Sequence, residues 1–564
     1  MSRFSGALAF VFWVLTCLRW FDPAVPFRPH ALTLVPASLL GAAWLVSFVW
    51  WLQGRWRRLM GPPERHREAL LLVVALAFFF RLPMAWWGAA GYLTPDGSLA
   101  GTIAVHLRDG VERLVFLPNS GYSGSLKAHV AVLLSSLMDM PRAFAFASIL
   151  FYALFVAAVY RLGALVNPTG PTGLFAGLYA AFAPAWVTHY SLSNDGNYVE
   201  VLALGAWALF LAARWIAEPE GRPLRAAGLG LLLGLAFWCH LLAIIHIAAI
   251  AIVLVVFGRR ALLRSAPHLG VGLIAGYFPG LLWNATNGWF SFGYLRTGAH
   301  QDRPVDLTAF SSRILPMVTD HWPILLGYDS WYPPLLDAAS RALAGFAVVA
   351  AVVAVGLACK AALRKPPGVL AVLLVFTATN LGMALVGSEH IPGNPRYLLF
   401  LMTPIPVFLS AAFGSGRLRL VLAALVAFGA MGSLATLAPS SAADARWRGF
   451  VAGLERAGVR GCYADYSFAA KINFLSEERV VCSSRLGPTY TDYYHCAERV
   501  GEAPTAAFIP INKTQAAKLQ ARLEGLGVSY ERVDLMKPVL HRLSRKVDPD
   551  ELRGGPQPPG STRR

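Results

Sequence analysis

Long apolar segments recur along most of this 564-residue chain, and they constrain its fold more than any other feature. A helix that crosses a bilayer needs about 20 mostly apolar residues. About thirteen segments approach this length: 7–21, 31–52, 69–90, 142–164, 172–189, 198–216, 226–240, 241–258, 269–285, 342–360, 368–387, 397–413 and 417–437. The pair at 226–258 fits either two steep spans or one span with a re-entrant piece. With 56% hydrophobic and 14% charged residues, the chain is predicted to be an all-α polytopic membrane protein.

The basic residues indicate how the chain is oriented in the membrane. The formal net charge is +18, but Lys and Arg are concentrated in alternate loops, which indicates a membrane topology rather than nucleic-acid binding. The positive-inside rule predicts a cytoplasmic N-terminus and an extracytoplasmic C-terminal segment in a cell inner (cytoplasmic) membrane. The first apolar segment has no small-residue cleavage site after it, so we predict a retained helix rather than a signal peptide.

Composition and periodicity divide the chain into four parts. Residues 1–68 carry two N-terminal spans and a basic cytoplasmic loop, residues 69–441 form the main membrane domain, and residues 546–564 are a Pro/Gly-rich, charged tail that is predicted to be disordered. Between them, residues 442–545 alternate helix-like and strand-like runs, which predicts a small extracytoplasmic α/β domain. The helix-like runs are 445–458, 466–475 and 513–526, and the strand-like runs are 461–464, 479–483, 506–510 and 528–534.

Three cysteines, Cys462, Cys482 and Cys496, lie in the predicted α/β domain. An oxidising compartment would allow one disulfide among them and leave one thiol over. The sequence does not determine which two cysteines pair.

A long polar insertion follows the span at 69–90 and begins with Thr94-Pro95-Asp96-Gly97. Ionisable groups at the edge of a membrane are candidates for function, and the Asp96 carboxylate is suited to act as a general base. The alternative is that these four residues only form a turn. Two apolar stretches in the insertion, Leu99–Leu107 and Leu126–Met138, are too short to span and predict helices that lie along the interface.

Four short motifs resemble the GT-C fold glycosyltransferases: Phe80-Arg81-Leu82-Pro83, Gly121-Tyr122-Ser123-Gly124-Ser125-Leu126-Lys127-Ala128-His129, Asn197-Tyr198-Val199-Glu200 and Arg396-Tyr397-Leu398-Leu399. The closest resemblance is to the family 39-like group, which includes dolichyl-phosphate-mannose protein mannosyltransferases and the bacterial aminoarabinose transferase of lipid A. It extends over roughly residues 69–440 in span order and loop placement. Many relatives carry Asp-Glu at this position of the first loop, whereas here Asp96 is followed by Gly97, so the second acid of that pair is absent.

The resemblance implies that a sugar is transferred from a polyprenyl-phosphate carrier to a lipid, glycan or protein acceptor on the outer side of the membrane, with inversion at the anomeric carbon. It makes Asp96 the catalytic base. Arg396 is the first candidate for contact with the donor phosphate and Lys127 the second, because charge-assisted contacts stabilise a phosphate leaving group. The candidate substrate-binding residues are Asp195, Glu200, Tyr122, His129 and Tyr397.

Several of these candidates also have plainer interpretations. Asp195 fits an Asx turn between two helices, and Arg396 and Lys127 fit interfacial bases that touch lipid headgroups. Arg81 lies inside a span and should face the bundle interior, paired with a carboxylate such as Glu200, or snorkel outward. No cofactor or metal is expected, and the histidines at 240 and 246 are too far apart in sequence to share a helical face as i, i+4 partners do.

The rival prediction is a transporter or flippase of a lipid-linked glycan. Such a protein should carry its ionisable residues near the bilayer midplane, on broken helices in paired repeats, whereas here most lie at the predicted outer edge. A non-catalytic scaffold is a third possibility and requires Asp96 to point away from any cavity. No phosphate-loop or dinucleotide glycine motif is present, so a nucleotide-driven pump is not expected. The α/β domain is predicted to bind or position the acceptor.

Overall fold

The computed structural model describes most of the chain beyond the first two predicted spans. The described residues are 66–118, 120–193, 195–218, 223–297, 309–328, 334–364, 368–387, 394–487 and 493–552. The predicted spans at 7–21 and 31–52 and the basic loop after them lie outside these ranges.

Helices form almost all of the part that precedes residue 457. The helices up to residue 297 are α1 His66–Trp87, α2 Ala89–Tyr92, α3 Pro95–Asp109, α4 Leu126–Leu134, α5 Met140–Val166, α6 Thr172–Ala181, α7 Ala185–Ser193, α8 Tyr198–Ala217, α9 Pro223–Cys239, α10 Ile244–Phe257, α11 Arg259–Thr286 and α12 Phe290–Thr297. The later ones are α13 Ala309–Pro316, α14 Trp322–Leu325, α15 Pro334–Arg364, α16 Val369–Gly387, α17 Pro404–Phe413 and α18 Arg419–Arg456. Short 3₁₀ turns at Asp195–Asn197, Leu241–Ala243 and Arg396–Met402 interrupt this series.

Five helices among the described residues are long and apolar enough to cross a membrane. They are Arg67–Trp87, Met140–Val166, Tyr198–Ala217, Ala338–Arg364 and Gly416–Arg456. A sixth span is added if Arg396–Met402 and Pro404–Phe413, which are bent by 44°, count together. The protein is therefore a helical membrane protein, but the predicted number of about thirteen spans is not confirmed.

One predicted span is divided in the structure, whereas the predicted pair at 226–258 forms two helices. The segment predicted as one span at 172–189 is divided into α6 and α7, and the break includes Pro184, which has no backbone N–H to donate to a helix. The segment at 226–258 forms two helices, α9 and α10, which are joined by the 3₁₀ turn Leu241–Ala243.

Glycines allow α9 and α11 to pack backbone against backbone. A Cβ at Gly230 would lie 2.1 Å from the carbonyl oxygen of Leu269, and a Cβ at Gly272 would lie 2.0 Å from that of Ala227. Close crossings at small residues are typical of helix pairs in lipid, where no hydrophobic effect drives the helices together. This packing holds the end of α9 against the first loop, where Gly124 N donates to Cys239 O at 2.9 Å.

The sequence Thr94-Pro95-Asp96-Gly97 begins a helix and is not an isolated turn. The Thr94 side chain accepts from the backbone N–H of Gly97, Pro95 occupies the first helical turn, and the helix ends at Gly110 with a φ of 71°. These are the expected start and stop signals of a helix. The carboxylate of Asp96 consequently lies in the first turn of α3, where the helix dipole favours negative charge.

A five-stranded sheet and three helices form the C-terminal domain. The strands are β1 Gly461–Tyr463, β2 Val481–Ser483, β3 Ala507–Phe508, β4 Glu531–Asp534 and β5 Pro538–His541, and the helices are α19 Tyr466–Leu475, α20 Tyr494–Glu502 and α21 Lys513–Gly525. The strand order is β2-β1-β3-β5-β4. The first three strands are parallel, and β5 pairs antiparallel with both β3 and β4.

The alternating pattern of the C-terminal segment is found in the structure, with several differences. The strands predicted at 479–483 and 506–510 are shorter, Val481–Ser483 and Ala507–Phe508. The run predicted at 445–458 is the end of the 38-residue helix α18, which passes through the domain boundary predicted at 441/442. Neither α20 nor β5 was predicted. The run predicted as a strand at 528–534 is shorter, Glu531–Asp534. Part of the tail that was predicted to be disordered is ordered: Pro549–Leu552 forms a 3₁₀ turn, and Arg485 bonds to Asp548 at 3.0 Å and to Asp550 at 2.6 Å.

Cys462 and Cys482 form the disulfide of this domain. They occupy directly opposed positions on β1 and β2, with 4.4 Å between their Cα atoms. Cys496 is a buried thiol outside this disulfide. The sheet register therefore selects one of the three pairings that the sequence left open.

Candidate functional site

Asp96 is exposed and contacts the C-terminal domain. Its Oδ1 atom accepts a hydrogen bond from the hydroxyl of Tyr466 at 2.5 Å. Tyr466 is the first residue of α19, which is capped by Asp465 through the backbone N–H of Phe468. The predicted catalytic residue thus has a partner that is 370 residues away in sequence.

The C-terminal domain reaches Asp96 because α19 packs along α3. The ring of Phe474 lies over Gly101, where a Cβ would come within 2.4 Å of the ring. Beyond the end of α19, Glu477 forms an ion pair with Arg108 at 2.5 Å. Contacts at both ends and in the middle of α3 therefore hold the C-terminal domain on the helix that carries Asp96.

Arg396 carries a positive charge with no carboxylate partner among the described residues. Its Nη2 atom donates to the hydroxyl of Tyr397 at 3.1 Å, and the guanidinium lies 5.0 Å from the centre of the Tyr397 ring. Its Nε atom is buried and has no hydrogen-bond partner in the part of the chain that the structure describes. A buried N–H without an acceptor is costly, so this guanidinium is prepared to receive an anion.

Four tyrosines lie near the Arg396 guanidinium, and a fifth, Tyr122, stacks on one of them. We call this group the tyrosine wall: Tyr122, Tyr190, Tyr198, Tyr294 and Tyr397. Tyr122 stacks on Tyr294 with 4.4 Å between ring centres, and Tyr190 and Tyr198 lie 5.6 Å apart. The ring of His240 joins the two halves, at 5.4 Å from Tyr122 and 5.1 Å from Tyr198. The structure therefore brings together three of the predicted residues, Arg396, Tyr397 and Tyr122.

A mostly apolar cavity lies beside Arg396. Its lining is Arg313, Met317, His321, Ala384, Leu385, Asn394, Pro395, Tyr397 and Leu398. Asp96 does not line this cavity. Asp96 and the tyrosine wall are linked indirectly. Helix α3, which carries Asp96, packs against the turn Asp195–Asn197, and this turn directly precedes Tyr198 of the tyrosine wall.

Lys127 does not face the Arg396 group but forms a buried ion pair with Glu200. The distances from Lys127 Nζ to the two carboxylate oxygens of Glu200 are 3.1 and 3.3 Å, and the side chains are 1% and 0% exposed. The ammonium also lies 5.3 Å from the Phe144 ring centre. Because each charge is neutralised by the other, this geometry favours a structural role for Lys127 over the predicted contact with the donor phosphate.

Arg81 is fully buried, as predicted, but Glu200 is not its partner. Its guanidinium donates to the Ser191 hydroxyl at 3.1 Å and to the Ala181 carbonyl at 2.8 Å, and it lies 3.7 Å from the centre of the Tyr152 ring. The break between α6 and α7 exposes backbone carbonyls inside the bundle, and Arg81 satisfies one of them. The suggested Arg81–Glu200 pair is therefore wrong.

Two other predicted substrate-binding residues lie at the edges of this region. His129 is exposed, and its Nδ1 atom is 2.9 Å from the Ser125 carbonyl oxygen. The backbone of Asp195 belongs to the 3₁₀ turn Asp195–Asn197, while its side chain is outside the described residues. In the same turn, Asn197 Nδ2 donates to the carbonyl oxygens of Gly124 at 2.6 Å and Cys239 at 3.2 Å, which joins three loops.

Lys471 is a basic residue of the C-terminal domain that was not among the candidates from the sequence. It lies on α19, five positions after Tyr466, and its ammonium is 5.0 Å from the centre of the Trp447 ring. No carboxylate forms an ion pair with it among the described residues. Burial lowers the pKa of Lys471 to about 8 from its ordinary value of 10.5. Its position beside α3 was not predictable, because the C-terminal pattern carried no acid/base or phosphate motif.

The cost of burying Lys471 predicts a pH-dependent stability. The unfolded chain binds this proton up to about pH 10.5 and the folded chain only up to about pH 8, so the penalty is full below pH 8 and disappears as the pH rises to about 10.5. Lys471→Met is expected to stabilise the protein at pH 7, by at most roughly 3 kcal/mol, and to lose most of this advantage by pH 10. Thermal unfolding in detergent at both pH values measures it; an advantage that is unchanged at pH 10 would contradict the assignment.

Comparisons with known proteins agree with this architecture. The family model described as dolichyl-phosphate-mannose-protein mannosyltransferase matches residues 128–283. The structure of ArnT from Cupriavidus metallidurans bound to undecaprenyl phosphate aligns with a TM-score of 0.54 and 11% identity over 83% of this chain and 97% of that chain. The same protein in the apo state gives 0.53 and 10% over the same shares. A sequence comparison with curated proteins gives no match.

A more distant likeness adds nothing to the fold assignment. The oligosaccharyltransferase of Archaeoglobus fulgidus aligns with a TM-score of 0.46 and 12% identity over 78% of this chain and 68% of that chain. The protein is thus a membrane protein with the GT-C fold, similar to ArnT, and part of its membrane domain matches the mannosyltransferase model. The predicted resemblance is confirmed at this level.

Proposed function

We propose that this protein is a membrane glycosyltransferase that moves a sugar from a polyprenyl-phosphate carrier to an acceptor hydroxyl on the extracytoplasmic side of the cytoplasmic membrane. The observation that carries the proposal is the half-buried Arg396 guanidinium, whose buried Nε–H is unsatisfied and which has no carboxylate partner among the described residues. The ArnT structure with undecaprenyl phosphate supports a lipid phosphate as the ligand class.

In this proposal the two charged groups act on opposite sides of the anomeric carbon. Asp96 takes the proton of the acceptor hydroxyl as that oxygen forms its bond to the anomeric carbon. The bond from the anomeric carbon to the phosphate oxygen breaks, and the polyprenyl phosphate leaves with the electron pair. Arg396 stabilises the charge that develops on the leaving phosphate. Attack opposite to the leaving group inverts the anomeric configuration.

The Tyr466–Asp96 hydrogen bond gives the C-terminal domain a place in this proposal. A hydroxyl that donates to one carboxylate oxygen leaves the other free to accept from a substrate. We infer that Tyr466 orients the base, and that an acceptor hydroxyl approaches between the first loop and the C-terminal domain. This refines the predicted acceptor-positioning role of that domain.

The function is tested with purified full-length protein in liposomes that contain a panel of polyprenyl-phosphate sugars and crude membrane acceptors. The proposal predicts that the protein releases free polyprenyl phosphate from at least one donor. Movement of intact donor between leaflets, with no carrier released, would favour the transporter. If the protein carries out neither reaction with any donor, the transferase proposal is overturned.

Replacing Arg396 tests the proposed phosphate contact. Arg396→Ala is expected to weaken donor binding by roughly 10- to 100-fold, since a hydrogen bond to a charged group contributes about 1.5–3 kcal/mol. Arg396→Lys should recover only part of this, because an ammonium lacks the planar fork. Binding of polyprenyl phosphate by calorimetry in detergent measures both. The control is Arg417→Ala, an exposed arginine in the turn Gly416–Leu418 after α17. Equal binding by the Arg396 and Arg417 variants would remove Arg396 from the site.

A further inference from the structure

A group of metal-binding side chains lies where the C-terminal domain meets the first loop. It consists of His106 near the end of α3, Glu478 in the turn after α19, and His495 in α20. One donor atom from each residue lies within 4.8 Å of the other two. The side chains of His106 and Glu478 are 0% and 7% exposed, while that of His495 is 23% exposed at the rim.

The surroundings of His106 favour a lone pair on the nitrogen that faces this group. Its Nδ1 atom lies 2.9 Å from Glu112 Oε1 and 2.9 Å from the Tyr493 hydroxyl, so the ring donates its Nδ1 proton to the carboxylate. Glu112 is itself held by the hydroxyl of Tyr494. A carboxylate that accepts from one ring nitrogen and so orients the other toward a metal is a recurring arrangement in zinc sites.

His106 and Glu478 approach each other closely at this site. His106 Nε2 is 2.8 Å from Glu478 Oε1, yet this buried nitrogen has no aligned hydrogen-bond acceptor among the described residues. With the proton of the ring on Nδ1, both Nε2 and the carboxylate oxygen carry lone pairs, so both can be ligands of one ion. The second oxygen of Glu478 accepts from Arg499 at 2.7 Å, which holds the carboxylate in place.

The backbone around Glu478 is shaped to aim this carboxylate. Glu477 and Glu478 both have positive φ values, 48° and 58°, a region that favours glycine. Two consecutive non-glycine residues in this region persist only when surrounding contacts determine them. Glu477 binds Arg108, and Glu478 faces His106, so the strained turn presents both carboxylates to α3.

We propose that His106, Glu478 and His495 bind one divalent transition-metal ion, with zinc as the best fit, and that this ion fastens the C-terminal domain to α3. Two imidazoles and one carboxylate form a set that zinc accepts, whereas calcium and magnesium prefer oxygen ligands alone. The ion would lie at the opposite end of α3 from Asp96, so its role is structural. No sequence motif indicated this site, because its ligands come from three distant segments.

The competing explanation is a protonated His106 held between two carboxylates without any metal. Burial lowers the pKa of His106, but the hydrogen bonds and charges of Glu478 and Glu112 outweigh burial and raise it overall. Neighbouring charges and polar groups at the site also include Arg499 on Glu478, and the Cys496 thiol, whose Sγ lies 3.7 Å from Glu478 Oε1. The two explanations differ in whether the purified protein contains and needs a metal.

The test uses the full-length protein in detergent, stripped with a chelator and then titrated with Zn²⁺ or Co²⁺. We expect one metal per chain by elemental analysis, a thermal unfolding midpoint that rises with Zn²⁺ concentration, and Co²⁺ absorption bands typical of nitrogen and oxygen ligands. His495→Gln, at the exposed rim, should abolish the Co²⁺ bands. Glu112→Gln, which removes the partner of Nδ1, should weaken Zn²⁺ binding by about 10- to 100-fold.

Matched controls separate this site from adventitious binding. Glu477→Gln removes the neighbouring ion pair with Arg108 but no proposed ligand, and His129→Gln removes an exposed histidine, so both should bind Zn²⁺ as the wild type does. The proposal is overturned if the stripped wild type shows no Co²⁺ bands, or if Zn²⁺ acts equally on wild type and His495→Gln. The first measurement needs no variant, so a variant that fails to fold does not leave the question open.

Discussion

Asp96→Asn is expected to lower sugar transfer by about 10²- to 10⁴-fold, the usual contribution of a general base. The amide has nearly the same shape as the carboxylate and can still accept from the Tyr466 hydroxyl, so the contact with the C-terminal domain should survive. An amide cannot take the proton of the acceptor hydroxyl. Donor binding should be unchanged, because the donor phosphate is assigned to Arg396. Release of polyprenyl phosphate and binding of the donor are measured side by side.

Asp109→Asn is the matched control for this experiment. It lies at the other end of the same helix and pairs with Arg108 at the surface, at 2.7 Å. The same chemical change there should leave transfer within about twofold of the wild type, since surface pairs contribute little. If Asp96→Asn transfers sugar as well as this control does, Asp96 is only a residue of the first turn of α3 and the proposed mechanism is wrong.

Lys127→Met alone is expected to destabilise the protein by about 3–5 kcal/mol, because it leaves the Glu200 carboxylate buried without its partner. Both side chains are 1% exposed or less, so water cannot replace the lost contact. The double variant Lys127→Met with Glu200→Met removes both charges and should recover most of the stability, as apolar replacements of buried ion pairs often do. Thermal unfolding of the single and double variants in detergent measures the difference.

The double variant also separates the two interpretations of Lys127. If the ion pair is structural, the folded double variant should bind polyprenyl phosphate with the wild-type affinity. A loss of donor affinity in a double variant of restored stability would return Lys127 to the phosphate site, as the sequence first indicated. Arg396→Ala provides the comparison, because this variant is expected to bind polyprenyl phosphate more weakly than the wild type.

The sequence predicts several candidate site residues, but it does not predict their partners. Arg396 and Tyr397 follow one another in the chain, so their contact at 3.1 Å is local. Tyr122 meets Tyr294 across 172 positions, a contact that no periodicity indicates. The Arg81–Glu200 pair was wrong because charge complementarity alone does not specify a partner. Arg81 is satisfied by hydroxyls and a backbone carbonyl, and Glu200 by a lysine.

The number of membrane spans shows a second limit of prediction from sequence. Apolar length predicts that a segment enters the membrane, but it does not predict whether the helix stays whole. Pro184 divides one predicted span into α6 and α7, and a bend of 44° at Thr403 divides another. In the C-terminal domain, by contrast, most predicted boundaries lie within a few residues of the observed ones, because short alternating patterns are bounded by turn residues.

The sequence by itself determined that this chain is a helical membrane protein with a small α/β domain after it, because hydrophobic length and periodicity are local properties. It also identified Asp96 and Arg396 as charged residues at the predicted membrane edge, which are candidates for function. Only the tertiary structure decided that Tyr466 binds Asp96, that Lys127 is neutralised by Glu200, and that His106, Glu478 and His495 meet. Those contacts join segments up to 389 positions apart, and the packing of α19 on α3, rather than any local pattern, brings the C-terminal residues to the first loop.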